Sequence, residues 1–308
     1  MAADVLIALV RANLAASVTI LLVFLTRSSV RHWFGAQLAY ASWMLVPIAA
    51  AGSLTPLDVS ARPLAGARAI SLAAKAWLAA GPDAILVCLW LIGLGASLAW
   101  VIWSQHRYGL AARAGRAGPA VFGVIAPRLV VPFDYADRFT LEQRRLIRVH
   151  ERAHMDRLDP RYTALAVLLQ CLGWFNPLLH LAARAMRTDQ ELACDATVVA
   201  RLPAQRRCYA EALLAHQRAQ IHAPLGCHWG GLGVHPLEAR IVTLMRPQPA
   251  QERQDAGMIG LGVLAAIIGV VAWAAQPPAP LNLYPIVYVS TDWGSTTPGP
   301  ALEHAPPG

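Results

Sequence analysis

Long apolar runs alternate with arginine-rich polar stretches along this chain. Crossing a bilayer takes about 20 mostly apolar residues. Four runs qualify: 5–25, 33–52, 84–103 and 257–275. The first carries Arg11 and Asn13, and the other three carry no charge. An arginine inside a span is costly, so Arg11 is expected to snorkel or to partner another helix. Trp33, Trp100, Trp103 and Trp273 stand near span ends, where interfacial aromatics collect.

Between the third and fourth runs the pattern changes. Residues 106–119 form a basic, glycine-containing linker. Two short β-like runs follow, Val121 to Val124 and Leu129 to Val131, and predict a pair of strands. Helices are then expected over 141–155, 162–172, 177–200 and 206–219, with a short one at 237–245. Thr140 and Gln143 form a capping box at the start of the first. Gly173 to Pro177 breaks the second from the third, with Pro177 suited to a first helical turn. The predicted organisation is three transmembrane helices within 1–103 with an outer loop 53–83, one domain over 104–256, a fourth transmembrane helix at 257–275, and a short, flexible outer tail at 276–308.

Composition narrows the class. The chain of 308 residues is 56% hydrophobic and 14% charged, against about 25% charged in an average soluble domain. That argues against disorder, collagen, a coiled coil or a fully soluble protein. The net charge of +8 is unevenly placed. Residues 104–256 hold 20 of the 26 Lys and Arg, and none follows Ala275. Cytoplasmic loops carry the excess of cations. The amino terminus is therefore expected outside, 26–32 inside, 53–83 outside, 104–256 in the cytosol and the tail outside. The apolar segment 64–80 reads as an interfacial helix on the outer face. No helix-turn-helix or zinc-finger pattern accompanies the basic charge, so no direct nucleic-acid contact is expected. The five cysteines, Cys88, Cys171, Cys194, Cys208 and Cys227, show no paired spacing and read as reduced.

The candidate chemistry lies on the predicted helix 141–155. His150 and His154 are one turn apart, so two imidazoles can meet one tetrahedral ion. Glu151 can reach the same ion as a general base. Glu191 and Asp195 are likewise one turn apart on the third helix. Glu191 can complete a two-His, one-Glu set for Zn2+, leaving a fourth position for water. Asp195 can take the free N–H of a ligating histidine from behind.

These strings resemble the BlaR/MecR-type integral membrane zinc metallopeptidases, the antirepressors of antibiotic-resistance regulation. The resemblance rests on Pro119 to Gly123, Pro127 to Pro132, His150-Glu151-Arg152-Ala153-His154 with Arg157 and Asp159, Trp174-Phe175-Asn176-Pro177, and Glu191-Leu192-Ala193-Cys194-Asp195. Tyr209 and Leu213 fit the following helix. The resemblance implies a mainly α membrane protein: four transmembrane helices and a cytosolic, gluzincin-like helical zinc domain with a small β element. It implies zinc on His150, His154 and Glu191, Glu151 as base and Asp195 in support. It further implies a zinc metalloendopeptidase in the bacterial cytoplasmic membrane. An outside signal would be relayed into cytosolic proteolysis of a winged-helix transcriptional repressor, with self-cleavage and a homodimer left open. The family's penicillin-binding sensor is not expected, because no Ser-x-x-Lys occurs in the chain. Two other readings stand beside it: an HtpX-like membrane quality-control peptidase, and a non-catalytic signalling protein whose zinc is structural, with Cys194 near the metal.

Overall fold

The computed structural model describes residues 2–55, 83–216 and 236–276. The 64–80 helix, Lys75, the loop histidines His222, His228 and His235, and 277–308 lie outside the described residues.

Helix α1 (Ala2–Phe34) ends at Gly35, whose φ of +97° only glycine adopts freely. The chain turns there into α2 (Ala36–Ala41), which passes through a 3₁₀ turn at Ser42–Met44 into α3 (Leu45–Leu54). Helix α4 (Asp83–Arg113) follows. Strands β1 (Ala120–Phe122) and β2 (Arg128–Val130) pair antiparallel, with Val121 opposite Leu129. Next come α5 (Tyr135–Arg138), α6 (Leu141–Asp156), α7 (Asp159–Leu172), α8 (Pro177–Arg201), α9 (Arg206–His216), α10 (Pro236–Met245) and α11 (Gln251–Ala274). The protein is mainly helical with a two-stranded β element.

Among the described residues, four stretches are long and apolar enough to cross a membrane: Ala2–Phe34, Ala36–Leu54, Ala84–Arg113 and Gln251–Ala274. They match the four predicted runs. The first, third and fourth continue as helix beyond the apolar residues, because no proline or strained glycine stops them. The chain is a multi-pass membrane protein with the helical domain that follows α4 on the arginine-rich, cytosolic side. Spans α3 and α11 approach closely at Gly52, where an added Cβ would lie 2.7 Å from the Gly269 carbonyl oxygen. Small residues permit such approach where no hydrophobic effect drives helices together. Arg11 has its partner: its guanidinium lies 3.4 Å from Oε1 of Gln276, just past the end of α11.

Two cores position the site. In the first, Ile20, Val23, Tyr40 and Trp43 of the spans pack with Leu179, Met186, Leu192 and Ala196 of α8. The second joins Leu146, Val198, Val199, Tyr209, Leu213 and Leu244 from α6, α8, α9 and α10. Full burial of a leucine such as Leu146 contributes about 1.5–3 kcal/mol. Helix α8 thus belongs to both cores and ties the spans to α6, α9 and α10. Polar contacts reinforce this. Asp189 on α8 is buried, and accepts from Arg31 at 3.0 Å, Arg27 at 3.2 Å and the Trp43 indole at 2.8 Å. Gln190 donates to the Tyr40 hydroxyl at 2.9 Å.

Candidate metal centre

Helix α6 begins as its sequence demands, with both hydrogen bonds of the Thr140–Gln143 capping box present. Its buried face carries Leu146, Ile147, His150, Glu151, Ala153 and His154. The chain leaves α6 through Leu158, whose φ of +59° is unusual for a side-chain-bearing residue. This reversal returns Asp159, the first residue of α7, to the end of α6. There Oδ2 of Asp159 lies 2.7 Å from Nδ1 of His154.

The two histidines face each other through Nε2 at 3.1 Å. Their other nitrogens are engaged. His154 Nδ1–H donates to Asp159. His150 Nδ1 lies 2.7 Å from the Tyr209 hydroxyl, which itself donates to Asp195 at 2.6 Å. Since that hydroxyl proton goes to Asp195, His150 Nδ1 is the donor in its own pair. Both Nε2 atoms therefore face the same spot, and two ring nitrogens this close need a cation, a proton or a metal ion, between them. Two nitrogens bound tetrahedrally to one zinc ion stand about 3.3 Å apart, so the spacing suits the ion.

The third converging group differs from the one expected. The ligand atoms of His150, His154 and Cys194 all lie within 4.8 Å of one another, and all three side chains are buried. This overturns the reading of a gluzincin-like His-His-Glu set with Glu191 as third zinc ligand. Glu191 is close, with carboxylate oxygens 3.5 Å from His150 Nε2 and 3.6 Å from His154 Nε2. It is drawn instead to the buried Arg240, whose Nη1 is 3.0 Å away. The thiol of Cys194, one turn further along α8, completes the cluster and donates to the His150 carbonyl at 3.2 Å. Two imidazoles and a thiolate are ordinary zinc donors, and the soft sulfur favours zinc over magnesium or calcium.

The electrostatics favour positive charge at this point. Burial disfavours the Cys194 thiolate, but His150 and His154 outweigh it and lower the thiol pKa. Burial disfavours a charged His150, but the Cys194 and Glu191 acceptors outweigh that and raise its pKa to about 10. Glu191 is held well below the carboxylate range: its burial is overcome by Arg240 first and by the histidines next. Burial raises Glu151, with His150 and His154 opposing.

Sequence reasoning brought His150, Glu151, His154, Glu191 and Asp195 to this region, and the structure places all five buried beside one another. Asp195 reaches His150 through Tyr209, its own oxygen being 3.6 Å from Nδ1. It missed the parts played by Asp159, Tyr209 and Arg240. Asp159 and Tyr209 were visible only as members of recurring strings. Arg240 gave no signal, being an arginine on a short helix far along the chain. Yet it is among the largest fully buried side chains, and pairs with Asp195 at 2.6 and 2.7 Å. Arg240→Met is expected to destabilise the metal-free protein by about 3–5 kcal/mol, because two buried carboxylates lose their counter-charge. A fall in the thermal-unfolding midpoint in detergent would register this; an unchanged midpoint would show the pair to be dispensable.

Comparison with known proteins agrees with the site. Residues 104–244 match the family described as BlaR1 peptidase M56. The regulatory protein BlaR1 of Bacillus licheniformis is 26% identical over 155 residues, covering 49% of this chain and 26% of that protein. The methicillin resistance mecR1 protein of Staphylococcus aureus is 30% identical over 81 residues, covering 26% of this chain and 14% of that protein. Through this segment the chain is similar to the BlaR1/MecR1 M56 peptidases. The aligned part spans about a quarter of the BlaR1 relative's length and less of mecR1.

Proposed function

We propose that this protein hydrolyses a cytosolic protein at the membrane surface, and that its substrate is a winged-helix transcriptional repressor whose loss induces genes. A signal received at the membrane spans would set the activity. The observation that carries this reading is the pair of Nε2 atoms facing each other at 3.1 Å with both Nδ1 atoms anchored. Holding two imidazoles so is the work of a metal site, and a buried carboxylate, Glu151, stands next to them in sequence.

His150, His154 and Cys194 would hold the ion. Zinc held there would supply Lewis acidity toward a scissile carbonyl and would acidify the attacking water. Glu151 accepts the water proton and delivers it to the leaving amine. Asp159 and the Tyr209–Asp195 pair hold the two imidazoles in the tautomer that leaves Nε2 free. Arg240 neutralises Glu191 and Asp195 on α8. The 120–130 hairpin, which packs on α6 through β1, would offer an edge to an extended substrate.

The test uses the full chain in lipid nanodiscs with a winged-helix repressor. Cleavage is expected, is abolished by 1,10-phenanthroline and returns when zinc is restored. Failure of the zinc-loaded protein to cut any such repressor would overturn the reading. One observation favours a second reading, a structural zinc site: Cys194 is a ligand type common in structural sites, and the cluster is shut within the protein. In that case zinc removal would lower stability without any cleavage to lose.

A further inference from the structure

Helices α7 and α8 meet at a tip, Gly173 to Asn176, that sits against the membrane spans rather than in the cytosol. Asn176 Nδ2 donates to Asn13 Oδ1 at 3.2 Å and to Ser17 Oγ at 3.0 Å, both on α1. The cytosolic end of α1 is marked by Arg27 and Arg31, which pair with Asp189 on α8. From Arg27 back to Asn13 is about 21 Å of helix, and from Asp189 back to Asn176 about 20 Å. The two helices thus run side by side from the cytosolic surface past the middle of a hydrocarbon layer about 30 Å thick. The third span gives a second depth marker. Trp90 of α4, near its outer end, donates to the Leu172 carbonyl at 2.9 Å, and Trp174 donates back to the Trp90 carbonyl at 3.3 Å.

From these contacts we infer that residues 161–184 form a re-entrant hairpin, entering the bilayer from the cytosolic side and turning back beyond its midplane. The sequence has the matching pattern. No Asp, Glu, Lys or Arg occurs between Arg161 and Arg184. The two arginines bracket two half-length apolar helices on the cytosolic side, as the excess of inner cations requires. Neither apolar segment, 162–172 or 177–183, is long enough alone to span.

The tip also solves the problem that irregular backbone meets in lipid. Non-helical backbone is tolerated at that depth only where protein satisfies it. The Leu172 carbonyl accepts from Trp90, the Gly173 carbonyl from Asn176 N at 2.8 Å, and the Trp174 carbonyl from His180 Nε2 at 2.9 Å. With Nε2 donating, His180 Nδ1 accepts from Gln170 at 3.1 Å. The Asn176 side-chain oxygen caps α8 by accepting from Leu178 N at 3.0 Å. The outward face is apolar and exposed, with Leu168, Trp174, Phe175 and Leu181 uncovered by protein. It is continuous with the exposed faces of α1 and α4, so its occupant is lipid acyl chain. The hairpin thereby anchors α8, and with it Cys194 and Glu191, at the membrane surface.

The experiment reads depth, not activity, and so stands or falls apart from the peptidase reading. p-Acetylphenylalanine is placed singly at Phe175, Leu168, Val18 and Leu141 of the full chain and coupled to a hydroxylamine spin label. The native cysteines stay in place. The protein is reconstituted in phosphatidylcholine–phosphatidylglycerol vesicles. Power saturation then compares collision with oxygen, which concentrates in lipid, and with a water-soluble nickel chelate. Val18 on span α1 and Leu141 at the start of α6 are 60% and 77% exposed and serve as lipid and water references. Labels at 168 and 175 are expected to follow Val18, favouring oxygen. Position 168 lies within α7, away from the tip, and reports even where a label at 175 disturbs the turn. Labels at both positions that follow Leu141, relaxed by nickel, would overturn the hairpin.

Discussion

The Glu151→Gln variant is expected to bind zinc as the parent protein does and to lose roughly 10²- to 10⁴-fold in cleavage rate, the range general acid–base catalysis supplies. Glutamine keeps the shape and a hydrogen-bonding oxygen but cannot accept the water proton. Glu151 is only 4% exposed, and its burial raises its pKa above the ordinary carboxylate value. Such a shift suits a base that must also return its proton. No structural duty is evident that a glutamine could not perform, so unfolding is not the expected outcome. Zinc content by elemental analysis and single-turnover cleavage of a repressor, measured on the same preparation, separate the two properties. Retained cleavage by the variant would remove Glu151 from the chemistry.

Much of the architecture was legible because two strong periodic signals dominate the chain. Apolar runs of span length and a clear capping box placed the spans and helix α6, and the α6 boundary fell within a residue of expectation. The hidden parts share a cause: they depend on contacts between residues far apart in sequence. The 161–184 stretch holds no run of twenty apolar residues in a single helix, so a search for spans passes over it. Its polar tip residue, Asn176, looks like an ordinary helix cap until Asn13 and Ser17 are seen opposite it. The third metal donor was misjudged for the same reason. One-turn spacing makes Glu191 and Cys194 equally available on α8, and local sequence cannot choose between them. Arg240, from a helix far along the chain, decides by engaging the carboxylate.

The same geometry joins the membrane spans to the histidine–cysteine cluster. Asp189, Gln190 and Glu191 are consecutive on α8. The first is held by α1 and by Trp43, the second by Tyr40 of α2, and the third faces the two histidines. A shift of α1 or α2 along the bilayer normal therefore acts on α8 within one helical turn of the cluster. Packed interiors transmit such a displacement because they have little free volume to absorb it. The physical connection is in place; coupling energy between the two ends is what a double-mutant cycle at Asp189 and Tyr209 would measure.

Replacing His154 by alanine should take bound zinc from about one ion per chain to background, since two remaining donors do not hold zinc at a protein site. The more informative substitution is Cys194→Ala. With His150, His154 and Cys194 as the converging set, removing the thiolate is expected to weaken zinc retention by at least the roughly 10- to 100-fold seen when even supporting groups around a metal are lost. Cys194 is fully buried, and alanine leaves a cavity of about one sulfur atom. The cost to the fold is therefore modest, about 1 kcal/mol, and much smaller than the loss of a ligand. Dialysis against a chelator of known affinity, followed by elemental analysis, gives the comparison directly. Glu191→Gln serves as the contrast, because it removes a negative charge beside Arg240 and leaves the thiol in place. Zinc lost from Cys194→Ala and kept by Glu191→Gln is the result the geometry demands. The reverse pattern would return the third position to the carboxylate and show that Arg240 gives Glu191 up when the ion arrives.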